Sequence, residues 1–179
     1  MRVVSGKAKG RQLKAPAGQT TRPTGDRVRE SLFAILGNEV IDSCVLDLFA
    51  GTGALGIEAL SRGAKKAVFV DADPRCRRVI QANLQHAGLK GEVFTNDAFR
   101  ALRALRRRDL LFDIVFLDPP YGNGLAVRAL ETLTTADILR PSGLIVVESG
   151  LREEIPACVL KFSQERVEKY GDTLLTFFR

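Results

Sequence analysis

The chain has 179 residues, 45% apolar and 27% charged, with 16 Gly and 7 Pro, a composition that excludes disordered and fibrous classes. A chain of this length buries roughly two-thirds of the surface it exposes when unfolded, so it does not depend on disulfide staples. The net charge of +6 is uneven, because residues 1–40 hold Arg2, Lys7, Lys9, Arg11, Lys14, Arg22, Arg27 and Arg29 against only Asp26, Glu30 and Glu39. Such a concentration of Lys and Arg among Gly, Thr and Pro is the footprint of a surface that meets phosphates, with a merely solvated basic hairpin as the alternative.

The first segment, MRVVSGKAKGRQLKAP, is basic but has no apolar core and no small-residue cleavage site, so a secretory signal is not expected and a cytoplasmic location is. Weak alternation over 2–4 and 11–14, around Gly6 and Gly10, predicts a short hairpin ended by Pro16 and Gly18. Residues 1–23 are therefore read as a basic, RNA-binding extension and 24–179 as the main domain. Val28, Leu32, Ile35 and Leu36 repeat at helical spacing over 24–36, with Thr24 or Asp26 as N-cap and Gly37 as stop.

From residue 44 onward strands alternate with helices, the pattern of a parallel α/β sheet. Strand 45–49 leads into DLFAGTGALGIEAL, residues 47–60, where Gly51, Gly53 and Gly56 form G-x-G-x-x-G at the start of helix 53–62. A second strand, 66–70, ends at Asp71, twenty residues after Gly51 and placed to accept hydrogen bonds from a ribose diol. That unit predicts a nucleoside ligand, which a dinucleotide would also satisfy. Asp47, four residues before the first glycine, would repel a pyrophosphate and attract the ammonium and sulfonium of S-adenosylmethionine, and so favours the latter.

Asp73 and Pro74 open the next helix, with Val79, Ile80, Leu84 and Ala87 on its buried face and Gly88 as its end. Strand 92–95 precedes Asp97, which is placed equally well to meet an adenine amine or to cap helix 98–107. In the basic cluster Arg100, Arg103, Arg106, Arg107 and Arg108, spacings of three place Arg100, Arg103 and Arg106 on one stripe opposite Leu102 and Leu105; a solvated face is the simpler reading, and an extension of a phosphate-binding surface the other.

Strand 113–117 is apolar nearly throughout and therefore central. It is followed at its carboxyl end by Asp118-Pro119-Pro120-Tyr121, on the edge where α/β sheets bind ligands. Two prolines stiffen the loop and remove two donors. A carboxylate, a free carbonyl and an aromatic ring suit a planar base with an exocyclic amine: Asp118 and the Pro119 carbonyl accept its hydrogens, and Tyr121 stacks on its ring. Helix 125–134 and strand 144–147 follow, and extended stretches 159–169 and 173–178 flank Tyr170-Gly171-Asp172 as an antiparallel pair at the sheet edge. Cys44, Cys76 and Cys158 are scattered and His86 is the single histidine, so no disulfide framework and no metal site is expected; the cysteines read as small buried hydrophobes.

The DPPY motif and glycine loop resemble class I S-adenosylmethionine-dependent methyltransferases of amino groups, among which DNA adenine, rRNA guanine-N2 and protein glutamine enzymes share [DN]PP[YF]. The segments VSGKAKGRQLKAP and RPTGDRVRESLFAIL, with LDLFAGTGALGIEALSRGA, FVDADP, DIVFLDPPY and the closing YGDT, resemble the RsmD family of bacterial 16S rRNA guanine-N2 methyltransferases over nearly the whole chain. Asp71 stands where Glu is usual, and Ala34 where Asn is common. The resemblance implies a Rossmann-like, mostly parallel seven-stranded sheet with an antiparallel edge strand, and S-adenosylmethionine as cofactor. It further implies a guanine of 16S rRNA within a small-subunit particle as acceptor, bound by the basic extension. A monomer without membrane contact is expected. An amino-methyltransferase of another acceptor, and a non-catalytic RNA-binding protein with a relic pocket, are the competing readings; a DNA enzyme would need a target-recognition domain for which the chain has no room.

Overall fold

The computed structural model describes residues 1–16 and 25–179. In chain order it has α1 (Asp26–Leu36), β1 (Cys44–Leu48), α2 (Ala54–Ser61), β2 (Lys66–Asp71), α3 (Pro74–Ala87) and β3 (Glu92–Thr95). There follow α4 (Ala98–Arg106), β4 (Phe112–Leu117), α5 (Leu125–Ala136), β5 (Leu139–Gly150), β6 (Cys158–Val159), β7 (Phe162–Tyr170) and β8 (Thr173–Phe178). These strands form one sheet of order β3-β2-β1-β4-β5-β8-β7-β6. The first five run parallel, and β8 is antiparallel to both β5 and β7.

Two details differ from expectation. The antiparallel edge is present as expected, with β8 set between β5 and β7, but the two-residue β6 adds an eighth strand antiparallel to β7. Val159 and Phe162 are both buried, and burying them folds the chain back into this extra turn of sheet. In addition, β5 begins at Leu139, which pairs with Phe112 ahead of a register shift, so the strand is longer than its apolar run 144–147.

Alternation along the strands divides the core between two faces. On β4, Ile114 and Phe116 join Phe33, Ile57, Phe69 and Ile80 on one side, whereas Val115 and Leu117 join Phe99, Leu102, Leu130 and Phe178 on the other. Helix α3 is bounded as its sequence dictates: Asp73 accepts from the Arg75 N–H, Pro74 occupies the first turn, and Gly88 is left-handed at φ 67°. Cys76, Ile80 and Leu84 are its buried stripe, with Val79 and Ala87 only partly covered. Cys76 is buried and Cys44, partly exposed, packs against the second core face as a small hydrophobe, whereas Cys158, on the short edge strand, is exposed. Among the described residues no helix is long and apolar enough to cross a membrane.

The N-terminal hairpin is tied by an Arg2–Gln12 bridge and by hydrogen bonds between Val3 and both Arg11 and Gly10. It is docked onto α2. Val3, Ala8 and Leu13 are buried in the same core as Phe33 and Ile57, while the Glu58 carboxylate accepts from the Val4 and Ser5 N–H groups at 2.7 and 2.9 Å. A Cβ at Gly6 would lie 2.0 Å from the Ser61 carbonyl oxygen, so only glycine permits this approach. Gly18, Thr24 and Arg22 lie outside the described residues, as does the expected domain boundary. Gly25 precedes α1 without a side-chain cap; Asp26 instead pairs with Arg29 at 2.9 Å.

Arg29 is corrected by the structure. Expected on the RNA-binding surface, it is fully buried, donates to Asp26 and to the Arg2 carbonyl, and lies 3.6 Å from Glu58. A desolvated guanidinium persists only when paired in this way. Arg29 therefore binds the hairpin to α1 and α2 and is not available to a phosphate.

Candidate active site

The carboxyl ends of β1, β2 and β4 open onto a cleft of about 620 Å³, within the ~300–1,000 Å³ usual for small-molecule sites. Its floor is the turn after β1, where Phe49, Gly51 and Gly53 all have positive φ, at 68°, 54° and 77°. The three glycines of the motif differ in role. Gly51 lines the cleft, and a Cβ there would meet nothing within 4 Å. A Cβ at Gly53 would lie 3.1 Å from Ile80, and one at Gly56 2.3 Å from the Phe69 ring. These two, expected against the ligand, instead let α2 pack on α3 and β2, and their N–H groups are given to Ala50 O and Asp47.

Asp47 is buried, and its Oδ2 accepts from the Gly56 N–H at 2.9 Å. It thereby satisfies an orphan donor in the first turn of α2, whose N-cap Gly53 has no side chain. Burial first, and the nearby Asp71 charge after it, push its pKa up to about 7, against the opposing Gly56 hydrogen bond. Asp71 lines the cleft, with Oδ2 accepting from Gly51 N and Oδ1 from Asp73 N, both at 2.8 Å. Each oxygen keeps a further lone pair for a hydroxyl. Asp97 caps α4 through Arg100 N at 3.0 Å and also lines the cleft.

Asp118, Pro119, Pro120 and Tyr121 line the opposite wall of the same cleft. Asp118 is partly open to it, yet desolvation, followed by the charges of Glu148 and Asp47, raises its pKa well above the usual carboxylate range. Half of the Tyr121 surface is exposed, and its hydroxyl donates to Glu148 Oε1 at 3.3 Å. Glu148 escaped sequence reasoning. It directly follows the apolar run Leu144–Val147 as LIVVES, and a charged residue at the carboxyl end of a central strand is the signal that could have found it.

Met1 of the hairpin reaches this cleft beside Thr52, and buried Asn83 exchanges hydrogen bonds with Lys14 N and O while its Nδ2 also donates to Thr52 O. The extension and the glycine loop are thus directly joined. Arg2, Lys7, Lys9, Arg11, Lys14 and Arg27 are exposed. Arg2, Lys9 and Arg27 line a second crevice of about 440 Å³, shared with Asp26 and Glu30. On α4 and just beyond it, Arg106 pairs with Asp137, and Arg108 pairs with Glu92 and lies over the Phe94 ring; Arg100 and Arg103 are exposed opposite buried Leu102 and Leu105.

The family model described as "Conserved hypothetical protein 95" matches residues 1–179. YlbH of Bacillus subtilis (strain 168) is 42% identical, the match covering 100% of this chain and 98% of that protein. "Ribosomal RNA small subunit methyltransferase D" of Escherichia coli K12 is 34% identical over 100% of this chain and 89% of its own length. Among solved structures, yhhF from Escherichia coli superposes with a TM-score of 0.87 at 34% identity, covering 99% of this chain and 96% of that one. A Thermus thermophilus 16S rRNA N2 G1207 methyltransferase, RsmC, in complex with AdoMet and guanosine, superposes with a TM-score of 0.67 at 26% identity, covering 91% of this chain and 44% of that one.

Proposed function

The chain belongs to the Conserved hypothetical protein 95 family, that of the RsmD methyltransferases, and from this premise we propose that it methylates the exocyclic N2 amine of a guanine in small-subunit 16S rRNA. The observation that carries the reading is the placement of Asp118-Pro119-Pro120-Tyr121 and of Gly51 with Asp71 on opposite walls of one cleft. S-adenosylmethionine fits the second wall: Gly51 leaves open space, and both Asp71 oxygens retain acceptor capacity beside it. Bound there, it supplies an electrophilic methyl group on a sulfonium.

The residues of the chain orient the acceptor. Asp118 and the Pro119 carbonyl accept the two N2 hydrogens, steering a lone pair otherwise delocalised into the ring, while Tyr121 stacks on the base. Orientation of this kind is worth about 7–11 kcal/mol in favourable cases. Arg2, Lys7, Lys9, Arg11, Lys14 and Arg27 hold the phosphates, and Arg22 belongs to the same basic segment. The enzyme acts in the cytoplasm as a monomer on a small-subunit particle. Incubating it with labelled S-adenosylmethionine and particles from cells lacking the protein gives N2-methylguanosine on nucleoside digestion; label in adenosine or in protein, or none at all, overturns the reading.

Two further results are expected. Gly51→Leu fills the open space and weakens S-adenosylmethionine binding at least about tenfold in calorimetry, beyond the ~1–2 kcal/mol of left-handed strain it places on folding; undiminished affinity would show that the ligand lies elsewhere. Neutralising Lys7, Lys9 and Arg11 together weakens RNA binding and lowers its salt slope by roughly 0.7–0.9 for each phosphate no longer neutralised. S-adenosylmethionine affinity stays the same in that variant. An unchanged slope identifies the hairpin charge as mere solvation.

A further inference from the structure

Tyr121 is held on three sides by groups outside its own loop. Its hydroxyl donates to Glu148 Oε1 at 3.3 Å, its ring lies where a Cβ on Gly150 would come within 3.3 Å of it, and Thr173 lies beside its phenol. Glu148 and Gly150 belong to β5, and Thr173 opens β8, which pairs with β5 at Gly150. Glu148 is itself buried and does not line the cleft, so its contact toward the acceptor runs through the tyrosine, while its charge also acts on Asp118.

We propose that Glu148 is a positioning residue that fixes the Tyr121 ring in its stacking orientation against the acceptor base. A half-exposed aromatic side chain on a loop has rotamers to lose, and ordering it costs about 0.5–1.5 kcal/mol on binding. Anchoring the hydroxyl to a buried carboxylate, with Gly150 keeping room beneath the ring, places that cost in folding and leaves the ring ready for the base. The same carboxylate, after burial and together with Asp118, raises the phenol pKa, while Thr173 lowers it. This inference rests on the proposed acceptor role of the DPPY loop, but the contact itself is measurable without any acceptor.

The chain has two tyrosines and no tryptophan, so in a Tyr170→Phe background alkaline absorbance titration reads Tyr121 alone. Glu148→Gln is expected to move that ionisation down toward the ordinary tyrosine value of ~10. A phenol that does not move overturns the proposal. With RNA as acceptor, Glu148→Ala raises KM about tenfold, the worth of one hydrogen bond to a charged group, while S-adenosylmethionine affinity is unchanged and Glu148→Gln, which keeps an acceptor, largely restores KM. In a Tyr121→Phe background the same Glu148→Ala change adds less than about twofold, because the partner hydroxyl is already gone. Independent, multiplying effects overturn the proposal. Should Glu148→Ala not fold, Gly150→Ala carries the test by crowding the ring, with the same rise in KM expected and an unchanged KM counting against it. A shifted phenol in an enzyme that methylates no RNA would refute the function and leave the anchoring contact intact.

Discussion

Replacing Asp118 by Ala is expected to lower the single-turnover methylation rate at least about a hundredfold, ~2.7 kcal/mol, while the dissociation constant for S-adenosylmethionine changes little. In the proposed mechanism the carboxylate faces the acceptor nitrogen as it turns from planar to tetrahedral and gains positive charge, so its interaction is stronger in the transition state than in the ground state. Asp118→Asn retains more activity than Ala, because the amide oxygen still accepts one hydrogen bond without offering a charge. Acid depresses the wild-type rate, since the acceptor must be ionised. With burial, Glu148 and Asp47 all raising the Asp118 pKa, that acid limb lies at higher pH than an ordinary carboxylate would give, and it is absent in Asp118→Asn. Both variants stay folded, because removing one of several neighbouring carboxyls relieves repulsion. A wild-type rate in Asp118→Ala would place the acceptor elsewhere.

The features that the sequence makes visible are those whose physics is local. Asp73-Pro74 and Gly88 bound α3 through capping rules that need no tertiary partner, and the apolar run of β4 declares a strand buried on both faces. What was not visible depends on which neighbour each residue meets. Gly53 and Gly56 belong to the ligand-loop motif by spacing, but Ile80 and Phe69 decide that they serve helix packing. Arg29 shows how composition misleads: counted as surface charge, it lies on the stripe Arg29, Leu32, Phe33 and Leu36 that α1 buries. Its complement is Glu58, set within the otherwise apolar ALGIEAL of α2 and equally buried. A charge in phase with an apolar stripe, and an opposite charge inside another apolar helix, together signal a buried pair; the helical reading through Val28 and Ile35 missed it by choosing the neighbouring phase. Glu148 and Asn83 were missed for a related reason, since their partners Tyr121, Thr52 and Lys14 are distant in sequence.

Asp47→Asn is expected to make the ligand-free protein progressively more stable, relative to wild type, as pH rises. In the folded chain the Asp47 pKa is pushed up to about 7 from the usual 3.8, so the native state binds its proton more tightly than the unfolded state does. The stability that this proton contributes is complete below the unfolded value and is lost as pH rises through the folded one. A shift of roughly three units corresponds to ~4 kcal/mol over the whole range, of which on the order of 2 kcal/mol falls between about pH 5 and pH 8. Asparagine does not titrate, and its amide oxygen can still accept the Gly56 N–H that Asp47 Oδ2 holds at 2.9 Å, so the first turn of α2 keeps its cap. Urea unfolding of both proteins at the two pH values measures the difference, with ligand excluded because bound S-adenosylmethionine would add its own stabilisation. A gap between variant and wild type that is the same at both pH values would mean that Asp47 is ionised throughout, held in that state by the N-terminus of α2 against the cost of its burial.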